Sequence, residues 1–184
     1  LESRSLGETA VARLDPAAKM PSLRRLDVFN TRVGDLAPLA ALQRLERLSI
    51  SGTPVDDLSP LAGHRGLRVL GLRRTQARDF SSLAGMTALE DLDLTGTSFT
   101  AMSTLAPLKL LQTLALSETA VDDVSVLATL PELRWLTLEE TQVHDVSPLR
   151  SMTTLRSLRL TGSPVENVDV LSPLVDAGLE IRTE

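Results

Sequence analysis

Leucine recurs along this chain with a fixed step. Leu1, Leu23, Leu45, Leu67, Leu89, Leu111, Leu133 and Leu155 are 22 residues apart, and eight residues beyond each stands a hydroxyl: Thr9, Thr31, Thr53, Thr75, Thr97, Thr119, Thr141 or Ser163. Eight units in register, with no insertion or deletion, mark a repeat architecture in which each unit is one small supersecondary element. One unit reads L-x-x-L-x-L-x-x-T-x-V-x-D-L-S-P-L-A-x-L-x-x. Its L-x-L step alternates with period two, so pairs such as Leu48 and Ile50, Leu70 and Leu72, or Leu136 and Leu138 point to one face of a short strand.

The spacing predicts strands near residues 25–28, 47–50, 69–72, 91–94, 113–116, 135–138 and 157–160, one per unit and all parallel. After the hydroxyl comes a turn, and then a segment such as Asp57 to Leu61 or Asp145 to Leu149. A Ser able to cap free amides, followed by a Pro suited to the first helical position, predicts a helix start there. About six residues remain before the next strand, enough for one or two turns of 3₁₀ or α helix. The expected fold class is α/β: a right-handed solenoid, with a parallel β-sheet on its concave face and short 3₁₀/α turns on the convex side. No unit can bury its Leu face alone, so the core must be built jointly by stacked neighbours.

The ends depart from the pattern. Arg4 and Ala17 fill columns that are apolar and larger elsewhere, and Leu179-Glu180-Ile181 restarts the strand pattern one residue early. A single domain over residues 1–184 is expected, with eight repeats in 1–176 and a closing strand in 177–184.

These residues resemble the bacterial internalin-like class of leucine-rich repeats. The 22-residue length and the Asp-hydrophobic-x-Pro-Leu segment, as in Asp35-Leu36-Ala37-Pro38-Leu39, carry the resemblance over the whole chain. It implies a solenoid fold and a binding role, and transfers no ligand-contact residue, because this architecture hosts many binding functions. One position differs: the family usually has Asn at the ninth position of the unit, and this chain has Thr or Ser throughout.

Composition removes several function classes. Cysteine is absent, which excludes a disulfide framework, a thiolate zinc site and a cysteine nucleophile. No run of 18 apolar residues exists to span a bilayer, and the N-terminus lacks the basic region, apolar run and cleavage site of a signal peptide. Asp35, Asp57, Asp79, Asp123 and Asp145 form a column, read as caps for the short helices rather than as a calcium ladder. His64 interrupts a Met/Leu column and is expected at an imperfect edge of the core. His144 lies in a turn more than three repeats away, too far for a shared metal or proton transfer. Neither a G-x-S-x-G nor a phosphate-cradling Gly-rich loop occurs, so no catalytic residue, metal or cofactor is expected.

Recognition is expected where the columns stop agreeing. Positions three and five of each unit point away from the core, and positions seven and eight lie at the strand exit. Down these positions run Arg25, Asp27, Phe29, Arg47, Arg73 and Arg74 in the first half, then Asp91, Asp93, Trp135, Glu139, Glu140 and Arg159 in the second. Charge is divided in the same way. Residues 1–88 hold 13 basic and 9 acidic groups, net +4, and residues 89–184 hold 6 basic and 15 acidic, net −9. A nucleic-acid binder calls for a continuous basic stripe with stacking aromatics, and a chain of net charge −5 with one Trp points to a protein partner instead. The expected function is a protein-recognition module of a bacterial interaction protein, such as an effector or its recognition arm. The alternative is the substrate-selecting domain of a larger enzyme such as a bacterial ubiquitin ligase, and the weakest a purely structural array.

Overall fold

The computed structural model describes residues 2–184. Among the described residues nine strands lie side by side in sequence order in one sheet, and every neighbouring pair is parallel. They are β1 Ser3–Ser5, β2 Arg25–Asp27, β3 Arg47–Ser49, β4 Val69–Gly71, β5 Asp91–Asp93, β6 Thr113–Ala115, β7 Trp135–Thr137, β8 Ser157–Arg159 and β9 Glu180–Arg182. Residues 22 apart face one another, as in Leu48↔Leu70 and Leu114↔Leu136, so the sequence period becomes the sheet register. Pairing continues past the strands, where the Val28 amide donates to the Ser49 carbonyl at 2.9 Å and the Asn30 amide to that of Ser51 at 2.8 Å.

The Leu columns behind the sheet form one continuous core. Leu26, Leu48, Leu70, Leu92, Leu114, Leu136 and Leu158 are all buried, and full burial of such a side chain contributes roughly 1.5–3 kcal/mol. The core adjusts volume between adjacent repeats: Ala77 stands next to Phe99 in the Val column, and the Phe99 ring meets Phe80 edge-on with centroids 5.1 Å apart.

The threonine column closes each turn. From Thr9 to Thr141 the hydroxyl donates to the carbonyl three residues earlier, at 2.5–2.9 Å. An aspartate starts five of the short helices, with Asp35, Asp57, Asp79, Asp123 and Asp145 each accepting the amide two residues on at 2.7–2.8 Å. Here the structure corrects the role expected of serine. Ser59 is the first residue of its 3₁₀ turn rather than its cap, and its hydroxyl donates to Asp57 at 2.9 Å; the carboxylate is the stronger acceptor and takes the amide. The Asp column is thereby occupied in capping, and the Ser147 hydroxyl and amide, with Asn167, hold the Asp145 carboxyl below the usual carboxylate value.

Two further expectations change. His64 is not at a core edge but fully buried, with Nδ1 3.3 Å from the Leu61 carbonyl and Nε2 3.1 Å from that of Leu39; those oxygens let an imidazole occupy a Met/Leu column. The closing strand exists, but Leu158 pairs with Ile181, 23 residues on, so it arrives one residue late rather than early. The helix Ser172–Asp176, ended at Gly178 with φ +102°, takes up the extra residue.

Candidate functional site

The face of the sheet opposite the core presents two rows that cross all the strands. The position-three row contains Arg25, Arg47, Val69, Asp91, Thr113, Trp135 and Ser157, and the position-five row Asp27, Ser49, Gly71, Asp93, Ala115, Thr137 and Arg159. Seven of the expected recognition residues, Arg25, Asp27, Arg47, Asp91, Asp93, Trp135 and Arg159, thus share one surface. Phe29, Arg73 and Glu139 follow at the strand exits, with Arg74 and Glu140 one residue further on.

Small residues at the middle of the first half leave a hollow of about 460 Å³, lined by Arg25, Asp27, Arg47, Ser49, Gly71, Asp91 and Asp93 among others. A second depression shares Ser49 and Ser51 with it and reaches Phe29, Arg73 and Arg74. Trp135 lines neither; it stands 46% exposed two strands beyond Asp91. An apolar hollow at the N-terminal end of the solenoid, lined by Leu6, Leu14, Ala17 and Met20 among others, is the open end of the core.

The charged residues differ in how far the fold has already engaged them. Arg74 Nη2 reaches Glu118 Oε2 at 2.7 Å across the whole of the intervening repeat, and Arg73 lies 3.8 Å from the same carboxylate. Arg25 and Arg47 have no ion-pair partner among the described residues. Asp27 and Asp93 each accept a backbone amide, of Phe29 at 3.2 Å and Thr95 at 2.9 Å. Asp91 is half-buried and accepts none among the described residues. Desolvation, and then the neighbouring Asp93, push its carboxyl above the usual range, with Arg47 acting the other way.

Position eight behaves in a way the sequence reading missed. Glu8, Asn30, Gly52, Arg74, Gly96, Glu118, Glu140 and Gly162 all have positive φ, between 51° and 74°. That variation is not free: the backbone favours Gly or Asn there, and the larger side chains lie over neighbouring glycines. The signal was present in the mixture of Gly and Asn with charged residues in this column.

A family model for leucine-rich repeats (2 copies) matches residues 21–63. The chain superimposes over its full length on 80% of internalin C2 from Listeria monocytogenes, with TM-score 0.95 and 29% identity. It has the internalin-like leucine-rich repeat fold. Internalin F from Listeria monocytogenes gives TM-score 0.90 at 26% identity, over 97% of this chain and 52% of that one. A TLR13–ssRNA13 complex matches over 91% of this chain and 26% of that one, with TM-score 0.74 at 22% identity, a likeness of fold alone. No curated protein matches the sequence. Leucine-rich repeats are generally protein–protein interaction modules and typically non-enzymatic scaffolds. In this leucine-rich repeat chain no helix among the described residues is long and apolar enough to cross a membrane.

Proposed function

We propose that this leucine-rich repeat chain is a protein-recognition module that holds its partner on the concave face of the sheet. The observation that carries the reading is Trp135. Its ring stands 46% exposed between Thr113 and Ser157, which are too small to cover it, and exposed Trp is a frequent hot spot. Phe29 supplies a second apolar anchor, and Arg25, Arg47, Arg73, Arg74, Asp91, Asp93, Glu139, Glu140 and Arg159 supply charge for steering and register. Phe29 and Trp135 are about 24 Å apart by strand spacing, within the span of a standard-size interface.

Similarity to two Listeria proteins supports a bacterial setting, with the chain acting as an interaction protein or as the recognition arm of an effector. A protein partner is favoured over nucleic acid because the acidic side chains of the concave face would repel phosphates. Affinity capture followed by identification of the bound protein provides the ligand. Trp135→Ala is then expected to weaken binding by about 2 kcal/mol or more, Arg73→Glu to slow association, and Gln142→Ala, exposed beyond the sheet, to change almost nothing. Equal affinities for the three variants would end the concave-face reading.

A further inference from the structure

We propose that the position-three row reads an extended segment of the partner laid across the strands, bearing an acidic side chain, a basic one three residues on, and an apolar one three residues beyond that. The proposal rests on the concave-face reading and adds the chemistry of what is bound.

Its basis is the spacing of unsatisfied groups along one row. Arg47, Asp91 and Trp135 are two strands apart in succession, so each interval is about 10 Å at the usual strand separation. An extended peptide in the polyproline II conformation advances about 3.1 Å per residue with three residues per turn, so residues i, i+3 and i+6 project to the same side and each three-residue step of about 9 Å covers one interval. Arg25 and Arg47 stand on adjacent strands without an internal ion pair, a fork suited to a carboxylate. Asp91 is half-buried and accepts no hydrogen bond among the described residues, while the carboxylate beside it, Asp93, is already engaged by the Thr95 amide. A lysine or arginine placed there restores to Asp91 the partner that the fold withholds.

The floor between these groups is low. Val69, Ser49 and Gly71 line the hollow between the arginines and Asp91, and Thr113 separates Asp91 from Trp135, so a backbone can lie close along the row. The basic residue sits in the middle whichever way the peptide runs, and reversing the chain exchanges only the acidic and apolar ends. A nucleic-acid strand fits this row less well, since the carboxylates of Asp91 and Asp93 follow the arginines within two strands.

The test is selection of a random 12-residue phage-displayed peptide library on the whole chain, on Trp135→Ala, and on the charge-swapped variant Arg25→Asp/Arg47→Asp/Asp91→Arg. Each protein is first checked by circular dichroism, and the single variant Asp91→Arg replaces the triple one if the latter unfolds. The wild-type protein is expected to enrich acid-x-x-base-x-x-apolar sequences in either chain direction, and the charge-swapped protein base-x-x-acid-x-x-apolar. With Asp91→Arg alone, the middle residue should turn from basic to acidic. A fluorescein-labelled consensus peptide should bind the swapped protein at least tenfold more weakly than the wild type, and the swapped peptide should reverse that order. Peptides that depend on Trp135 but show no charge spacing would overturn this inference and leave the concave-face reading standing. Peptides indifferent to both variants would overturn both. Absence of any enriched sequence overturns the peptide inference alone, because the concave-face reading is decided by the folded partner. Single-stranded RNA that binds through Arg25 and Arg47 and displaces the peptides would overturn the choice of partner class.

Discussion

Gly96 is one of the position-eight glycines at which the backbone of this solenoid resists substitution. It occupies position eight with φ +66°, and a Cβ added there would lie 2.8 Å from Arg74 Cγ, under the side chain that crosses it to reach Glu118. Gly96→Ala therefore meets two costs. Placing an L-residue in the left-handed region costs about 1–2 kcal/mol; displacing Arg74 breaks an exposed ion pair, which adds little. At about 2–4 °C per kcal/mol for a chain of this size, the melting temperature should fall by roughly 2–8 °C, with a matching loss in the urea midpoint. Arg74→Ala in the same protein should remove the steric part and leave the backbone part. The control is Gly71→Ala, whose φ is not in the left-handed range and whose row already holds Ala115; it should stay within roughly 0.5 kcal/mol of wild type. Conversely Glu140→Gly, at φ 54° and without an ion-pair partner among the described residues, should stabilise by about 1 kcal/mol. Gly96→Ala melting with the wild type, or Gly71→Ala falling as far, would refute the assignment of position eight as a backbone constraint.

Leu114→Ala, in the middle of the buried column, should cost about 2–5 kcal/mol in urea unfolding, and Ile181→Ala, half-buried in the last strand, less than half of that; the reverse order would contradict a jointly built core. Asp91 and Asp145 should give opposite pH signatures in thermal melts. The raised Asp91 carboxyl adds stability below the ordinary value of 3.8 that disappears as pH rises through its folded value, so Asp91→Asn should raise the neutral-pH melting temperature, with the gain vanishing in acid. The lowered Asp145 carboxyl stabilises above 3.8 and loses that contribution as pH falls through its folded value, so Asp145→Asn should lower the neutral-pH melting temperature and flatten the acid limb; same-sign effects would refute both assignments. Millimolar calcium should leave the melting temperature unchanged, because the Asp column is spent on amides and no metal-sized cluster of acidic or histidine groups occurs among the described residues; a rise of several degrees would show a bound ion.

The strands were legible because a parallel repeat converts sequence period directly into register, and Leu48↔Leu70 needs nothing beyond the number 22. The direction of Arg25, Asp91 and Trp135 away from the core followed from two-residue alternation. What could not be read were effects between repeats. Position eight looked variable because side-chain identity was read there without the backbone angle, and the Arg74–Glu118 pair joins residues 44 apart that no local pattern links. Within the repeat, the aspartate column reads as capping from sequence alone, and the capping role that the Ser-Pro signal suggests for serine is the part that differs, because Asp57 takes the Ser59 amide. His64 looked like a flaw in an apolar column because the carbonyls of Leu39 and Leu61 that receive it lie in two different repeats.

The same geometry separates stability from recognition. The core columns hold Leu and Val at nearly every repeat, since each side chain must fit between two neighbours, and a change there is felt across both interfaces. The concave rows carry no such demand. Ser49, Gly71, Asp93, Ala115 and Thr137 occupy equivalent places on successive strands, so the fold accepts a hydroxyl, a hydrogen, a carboxylate or a methyl at the same register. Substitutions in these rows can therefore change what is bound while leaving the scaffold intact. Their spacing remains fixed by strand separation, and a ligand crossing the sheet meets one residue choice about every 4.8 Å. Chemical specificity then resides in the order of side chains along a row, here two arginines, a carboxylate and a tryptophan, rather than in an enclosed pocket.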